Sequence, residues 1–185
     1  MDIDRLREER RAKDLLFATG ELSPLDPEQK AVFNGLDYYQ ADPTLTFTTT
    51  LLPGDGAIIN VPTSDGREKV YTRVGQVAFT VEGVDCHLTV YDTGHPGFFI
   101  PFRDGTSGHE TYGAGRYLDV EVDRNGHMVV AFNRAYTPYC VYADGYSCPI
   151  PPSENRLSVP IRAGEKAFPG PPTRHNHAED EEALS

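Results

Sequence analysis

The chain has 185 residues, a formal net charge of −11 and a hydrophobic fraction of 38%. A chain of this length most often forms one domain and can bury a core without disulfides or metals. The acidic balance argues against non-specific binding to nucleic acid or to anionic membranes. Since no apolar run approaches the roughly eighteen residues of a membrane-spanning helix, we expect a cytoplasmic protein with no nucleic-acid or membrane partner.

The first elements are predicted to be helical. Charged and apolar side chains are interleaved over residues 2–18, which predicts an amphipathic helix with an acidic start that ends at Gly20. Asp26 and Pro27 then have the residue types of an N-cap and a first-turn proline, so they predict a short second helix that ends before Gly35. We expect these elements to form an N-terminal helical arm over residues 1–35.

From Leu45 onward, the hydrophobic pattern changes to a period of two residues, which is typical of strands. Ten segments are predicted as strands: TLTFTTTLL, AIINV, EKVYTRV, QVAFTVE, VDCHLTVYD, GFFIPF, RYLDVEVD, HMVVAFNR, YCVYA and LSVPI. Short strands separated by turn residues predict a mainly β fold, an antiparallel β-sandwich or barrel, over residues 36–168. The Pro-rich and then acidic stretch over residues 169–185 predicts a disordered tail.

One hairpin can be assigned a register from the sequence. A two-residue turn at Asn125-Gly126 would mix polar and apolar side chains on both faces. A three-residue loop over 124–126, with Gly126 in the left-handed region, keeps one face apolar, and we therefore predict it. Its core-facing residues are Leu118, Val120, Val122, Met128, Val130 and Phe132. The opposite face, which carries Tyr117, Asp119, Glu121 and Asn133, either meets water or lines a pocket.

Polar residues are concentrated in the stretch TSGHETYGAGRYLDV, residues 106–120. Its glycines permit backbone shapes that other residues resist, and Arg116 has the planar fork that suits a carboxylate or a phosphate. Two interpretations stay open. Arg116 either holds an anionic ligand or pairs internally with Glu110 or Asp119. The spacing matches neither a dinucleotide-binding motif nor a phosphate-binding loop.

Cys140 and Cys148 flank the segment VYADGYS. If residues 143–145 form a hairpin loop, the two cysteines lie directly opposite and close enough for a disulfide. A cytoplasmic location favours reduced thiols, a redox pair or a metal clip instead. Two cysteines at this spacing do not make a zinc motif, so we assign no metal and no cofactor. Cys86 alternates with apolar residues and is predicted to be a core thiol.

Two long runs, FIPFRDGTSGHETYGAGRYLDV and AFNRAYTPYCVYADGYSCPIPPSENRLSVPIRAGEK, resemble a family known as domain of unknown function 1684. These uncharacterised bacterial and archaeal proteins share the pattern PFxDxTSGxETYGAGRYLD, followed by DFNxAYxPYCxY and CPxPPxENxLxxxIxAGE. The resemblance is dense over residues 99–166 and looser over 45–98. Ala131 departs from it where the family usually has Asp, and the pattern leaves the position of His109 open. It implies no activity, but it assigns to the motif Glu110, Tyr112, Gly113, Gly115, Arg116, Tyr117, Asp119, Asn133, Tyr136, Cys140, Cys148, Asn155 and Glu165.

Two functional hypotheses follow from the chemistry of these residues. The first is a domain that binds a small polar or anionic molecule through Arg116, Asn133, Tyr136 and Asn155. If that domain were an enzyme, it would hydrolyse or isomerise its ligand, with Glu110 or Asp119 as the base and Tyr112 as a hydrogen-bond donor. The second is a non-enzymatic structural or interaction module whose motif residues form a buried polar network. A cavity that Arg116 faces favours the first, whereas a buried Arg116 saturated by protein groups favours the second.

Overall fold

The structure is a computed structural model that describes residues 1–170. Within these residues it contains two α-helices and eight strands. The predicted disordered tail over 169–185 lies outside the described residues except for its first two positions. The division into an arm over 1–35 and a β domain over 36–168 stays a prediction.

Both predicted helices are confirmed, and their caps explain their ends. Helix α1 spans Ile3–Thr19, with the Asp2 carboxylate accepting the N–H groups of Asp4 and Arg5. Helix α2 spans Pro27–Val32 and begins with a capping box. The Asp26 carboxylate accepts the Gln29 N–H, while the Gln29 side chain accepts the Asp26 N–H. Such caps satisfy N–H groups that have no partner inside the helix.

The strands form one antiparallel sheet in the order β1-β8-β7-β6-β5-β4-β2, with β3 also paired to β4. The sheet curls so that β1 approaches β4, and there the Thr49 hydroxyl donates to the Ala78 carbonyl at 3.2 Å. The result is a half-barrel, which confirms the antiparallel, mainly β prediction. The strand bounds are β1 Thr46–Thr49, β2 Leu52–Pro53, β3 Ile58–Pro62, β4 Glu68–Val81, β5 Val84–Asp92, β6 Phe98–Phe102, β7 Arg116–Val122 and β8 Met128–Ala131.

Four predicted strands differ from the structure. EKVYTRV and QVAFTVE form one continuous strand, β4, whose register shifts between Arg73 and Gly75. YCVYA is not a strand, since Tyr139–Val141 is a 3-10 helix. LSVPI is an extended segment outside the sheet. Prolines explain the last two differences, because Pro138 and Pro160 lack the N–H group that a ladder needs.

The predicted register of the β7–β8 hairpin is confirmed. Val122 pairs with Met128 around a three-residue loop, and Gly126 has a φ of +83°. The predicted core residues are buried, with the exception of Val122, which is 47% exposed. That part of the prediction is wrong because Val122 lies at the tip of the hairpin, beyond the edge of the core.

The two faces of the sheet carry different clusters. Leu118 and Val120 point into the main core, together with Val77, Leu88, Ile100, Met128, Val130 and Phe132. Successive residues of a strand face opposite sides, so Tyr117 lies on the other face, where it packs with Val61, Tyr71, Tyr91, Phe99 and Cys148. A third cluster joins Phe17 of α1 to Leu25 and Tyr142. The helix therefore covers part of the tyrosine-bearing face.

Candidate functional site

A cleft of about 1150 Å³ opens on the tyrosine-bearing face of the sheet. Helix α1 supplies one wall through Ala12 and Leu16, and strands β4, β6 and β7 supply the floor. The segment over 136–149 closes the remaining side. Five tyrosines line the cleft, namely Tyr71, Tyr117, Tyr136, Tyr139 and Tyr146.

Tyr117 lies at the centre of this tyrosine wall. Its ring packs edge-on against Phe99 with centroids 4.9 Å apart and against Tyr136 with centroids 5.8 Å apart. Its hydroxyl donates to the carbonyl of Pro149 at 2.6 Å. Burial raises the pKa of Tyr117 well above the ordinary value for a phenol, so the group stays a protonated donor.

Asp119 and Tyr136 form a polar pair in the same cleft. The Tyr136 hydroxyl donates to Oδ2 of Asp119 at 3.1 Å. Asp119 retains contact with solvent, but the surrounding protein desolvates its carboxylate and raises its pKa. Burial likewise raises the pKa of Tyr136. The pair therefore offers a carboxylate that is easier to protonate than usual beside a neutral phenol.

Three basic side chains, Lys13, Lys69 and His95, line the cleft. Lys13 is already paired, because its Nζ contacts Oε1 of the buried Glu165 and lies 5.3 Å from the ring centre of Tyr136. Within residues 1–170, neither Lys69 nor His95 makes an ion pair or a side-chain hydrogen bond. Lys69 thus carries a positive charge that no protein carboxylate compensates.

Cys148 lines the cleft and contacts Cys140. The backbone N–H of Cys140 donates to Sγ of Cys148 at 3.3 Å, and no disulfide joins them. The predicted hairpin between the cysteines is wrong. Cys140 lies in the 3-10 helix, whereas Cys148 is fixed by the β3–β4 turn, where the Ser64 N–H donates to the Cys148 carbonyl at 2.8 Å. Hydrogen bonding from the Cys140 thiol lowers the pKa of Cys148, and the same contact raises that of Cys140.

Arg116 lies away from the cleft, in a buried polar network. Its guanidinium is 1% exposed and donates to Oδ2 of Asp104 at 2.7 Å. It also donates to the carbonyls of Ile161 at 2.8 Å, Ala163 at 2.5 Å and Glu165 at 3.0 Å. The predicted pairing with Glu110 or Asp119 is therefore wrong. Since Asp119 is three residues along the same strand, it lies on the opposite face and cannot reach Arg116.

Asn133 and Asn155 bind backbone groups of distant segments. Asn133 accepts the N–H of Asp42 at 2.8 Å and donates to its carbonyl at 2.7 Å. Asn155 accepts the N–H of Thr89 at 2.7 Å and donates to the carbonyls of Thr89 and Pro101. Neither side chain lines the cleft.

Glu110 and Tyr112 also lie outside the lining of the cleft. Arg162 donates to Glu110 at 2.8 Å and Tyr39 donates to it at 3.0 Å. The bond from Arg162 lowers the pKa of Glu110, so this carboxylate is ionised at neutral pH. Of the residues predicted from sequence, the structure brings Asp119, Tyr136 and Cys148 to one cleft and leaves Glu110, Tyr112, Arg116, Asn133 and Asn155 elsewhere.

Sequence reasoning missed the contributions of α1, β4 and the β5–β6 loop. Lys69 and Tyr71 are two residues apart on β4, so the strand period alone places them on one face. That signal was present, but it could not show that this face meets α1. Among residues 1–170 there is no group of three or more His, Cys, Asp or Glu side chains arranged to hold a metal ion. The same part of the chain contains no helix with the length and apolar character needed to cross a membrane.

Comparison with known proteins gives relatives but no activity. A solved structure with 33% sequence identity and a TM-score of 0.69 covers 94% of this chain, and the match spans 95% of that chain. It is the solution NMR structure of an uncharacterised protein from Haloarcula marismortui. Curated proteins yield no match. The model of a family described as "Protein of unknown function (DUF1684)" matches residues 31–166, which is most of the chain. The chain therefore belongs to the DUF1684 family.

Proposed function

We propose that the protein binds a small molecule with an aromatic or apolar body and an anionic group in the cleft between α1 and the sheet. The observation that carries this proposal is the combination of five lining tyrosines with Lys69, whose charge is unpaired within residues 1–170.

The aromatic or apolar body of the proposed ligand is inferred from the tyrosine side chains that line the cleft. Phenol side chains combine a large apolar face with one hydrogen-bonding end, and binding sites for small molecules use such groups to hold and orient rings. Tyr139 and Tyr146 meet edge-on with centroids 5.3 Å apart at the mouth of the cleft, and Tyr146 is 37% exposed. A planar ligand entering there would cover aromatic surface that now faces solvent.

The anionic group of the proposed ligand is inferred from the positive charge of Lys69. The chain has 28 acidic residues against 17 Lys and Arg, so most cations have carboxylates available to them. Lys69 has no carboxylate partner among residues 1–170, and His95 also lines the cleft. A carboxylate or phosphate on the ligand would supply the missing partner.

The proposal is for binding rather than for hydrolysis or isomerisation. The catalytic hypothesis requires Glu110 or Asp119 to act as the base together with Arg116 and Tyr112. Of these four residues, only Asp119 lines the cleft. Arg116 has four protein acceptors. This saturation of Arg116 by protein groups favours a second function for the polar motif over residues 106–120. It would act as a scaffold that holds the loops over 104–116 and 161–165 together.

The binding test uses thermal unfolding with 4-hydroxybenzoate and related aromatic carboxylates, each compared with its neutral amide. We expect the carboxylates to raise the Tm of the parent protein more than the amides do, because a ligand that binds only the folded state stabilises it. Ala12→Trp fills the cleft from α1 and should abolish the response. Arg11→Trp is the matched control, because its exposed position on the same helix does not line the cleft.

Lys69→Gln tests the charge separately. It should weaken carboxylate binding by about two- to fivefold, the range of an exposed ion pair, without affecting the amide. Arg124→Gln removes the same charge from the exposed β7–β8 loop and should change neither. The proposal is wrong if carboxylates and amides behave alike, or if Ala12→Trp responds as Arg11→Trp does.

A further inference from the structure

We infer that Cys148 and Cys140 form a thiol–disulfide exchange site, in which Cys148 attacks a small disulfide that enters the cleft and Cys140 resolves the product. This goes beyond the proposed function, since the reaction needs access to the cleft but no anionic or aromatic ligand.

Access and positioning favour Cys148 as the attacking thiol. It lines the cleft, and the backbone on both of its sides is paired with the β3–β4 turn. Its N–H donates to Ser64 Oγ at 3.2 Å, and the N–H of Ile150 donates to the Pro62 carbonyl at 2.8 Å. The sulfur is therefore held in a fixed position by a rigid element, which is what a reactive thiol requires.

The groups that face Cys148 stabilise its thiolate. Hydrogen bonds reach the sulfur from the backbone N–H of Cys140, at 3.3 Å, and from its thiol. The neutral phenol of Tyr117 on β7 packs in the same cluster, but its hydroxyl donates to the Pro149 carbonyl. Lys69 on β4 adds a favourable charge, while the neutral phenol of Tyr71 faces the same site. Together these contacts lower the pKa of Cys148 against the opposing effect of burial. The thiolate is the nucleophile in exchange reactions, so a lowered pKa raises its population at neutral pH.

Cys140 is placed to complete the reaction. It packs in the same cluster as Cys148, and its backbone N–H donates to the Cys148 sulfur at 3.3 Å. Only seven residues separate the two in the chain. In the first step the Cys148 thiolate bonds to one sulfur of a disulfide RSSR, and RS⁻ leaves and takes up a proton. In the second step Cys140 loses its proton and attacks the Cys148 sulfur, releasing the second RSH. The two protein thiols are oxidised to one disulfide, and RSSR is reduced to two RSH.

Cys86 provides an internal contrast. It lies on β5 within the main core and does not line the cleft, whereas Cys148 lines the cleft although it is itself only 8% exposed. Burial raises the pKa of its thiol, so it has neither the access nor the thiolate population of Cys148. The same chain therefore contains a matched unreactive cysteine.

The test treats the folded full chain with 2-hydroxyethyl disulfide, a neutral aliphatic probe, and follows the products by intact-mass spectrometry. The parent should lose two hydrogens without accumulating an adduct, and peptide mapping should join Cys140 to Cys148. Cys140→Ser should instead accumulate one mercaptoethanol adduct at Cys148. Adduct formation at Cys148 in the Cys140→Ser variant should be faster than adduct formation at Cys86 in the Cys148→Ser variant by about tenfold or more. The rate at Cys148 should rise with a midpoint below the ordinary cysteine pKa of about 8.5.

Two results would overturn the inference. One is a parent protein in which the adduct on Cys148 persists although Cys140 is present. The other is modification of Cys148 no faster than that of Cys86. Peptide mapping of the parent decides the first point even if a variant folds poorly. Because the probe is neither anionic nor aromatic, failure of carboxylate binding would leave this result standing, and the reverse is equally true.

Discussion

At the scale of single residues, Arg116 and Arg162 place the same charged group in opposite surroundings. Arg116 is enclosed and bound to Asp104, whereas Arg162 is exposed and bound to Glu110. Removing one partner of a buried pair leaves an uncompensated buried charge. Removing one partner of an exposed pair leaves a carboxylate that water can solvate. Similar geometry therefore predicts very different energetic consequences.

Arg116→Ala should lower the free energy of unfolding by about 3–5 kcal/mol, because Asp104 and three backbone carbonyls would lose their partner in the core. Arg162→Ala is the control and should cost a small fraction of that amount. Urea unfolding followed by circular dichroism measures both. Equal losses in the two variants would contradict the interpretation of Arg116 as the centre of a scaffold.

Asp119 and Asp123, which are four residues apart, should respond to pH with opposite signs. Desolvation raises the folded-state pKa of Asp119, so the folded state binds its proton more tightly than the unfolded state does. Stability is then lost as the pH rises above the ordinary Asp pKa of about 3.9. Hydrogen bonds led by the His127 N–H lower the pKa of Asp123. Its contribution is present above the ordinary value and is lost as the pH falls through the folded pKa.

We therefore expect Asp119→Asn to gain stability relative to the parent as the pH is raised from 3.5 to 7, and Asp123→Asn to lose stability over the same range. Unfolding in urea at several pH values measures these differences. A flat difference for Asp119→Asn would show that its carboxylate is as well solvated in the cleft as in the unfolded chain.

At the scale of elements, two glycines that flank β7 are subject to different constraints. Gly126 has a φ of +83° in the hairpin loop, and a Cβ there would meet nothing within 4 Å. Gly115 precedes β7 with a φ of +112°, and a Cβ there would lie 2.5 Å from the Phe102 carbonyl oxygen. The first position requires glycine for its backbone angle alone, and the second also for space.

Gly126→Ala should cost about 1–2 kcal/mol, the penalty of a left-handed conformation for an L-residue. Gly115→Ala should cost more, because the strand before it must also shift. Chemical unfolding of the two variants tests the order. A larger loss at Gly126 would mean that the loop makes contacts which the structure does not contain.

At the scale of the whole molecule, local patterns predicted the elements but not the cleft. Alternating hydrophobicity and turn residues predicted the antiparallel sheet and the β7–β8 register, because both depend on neighbours in the chain. The cleft combines Ala12, Lys69, His95, Asp119 and Cys148. These residues are far apart in sequence, and only the curl of the sheet and the packing of α1 bring them together.

Of the ligand-binding residues predicted from sequence, only Tyr136 lines the cleft. Arg116, Asn133 and Asn155 have side chains typical of a ligand site. However, the backbone groups of loops, which are not paired with a neighbouring strand, also need hydrogen-bond donors and acceptors. The sequence contains many such loops, with 17 glycines and 15 prolines. From residue types alone, these two uses of a polar side chain cannot be distinguished.

The position of helix α1 at the wall of the cleft affects how the binding space can differ between related proteins. It supplies one wall of the cleft, yet the matched family region begins only at residue 31. The helix is held by a few polar contacts, including Arg10 to the Asn133 carbonyl and Lys13 to Glu165, and by Phe17. Substitutions on its cleft-facing side can therefore change the size and charge of the binding space while the sheet, its core and the Arg116 scaffold stay the same. Selectivity in this architecture can therefore change through a segment that contributes no residue to the main core of the sheet.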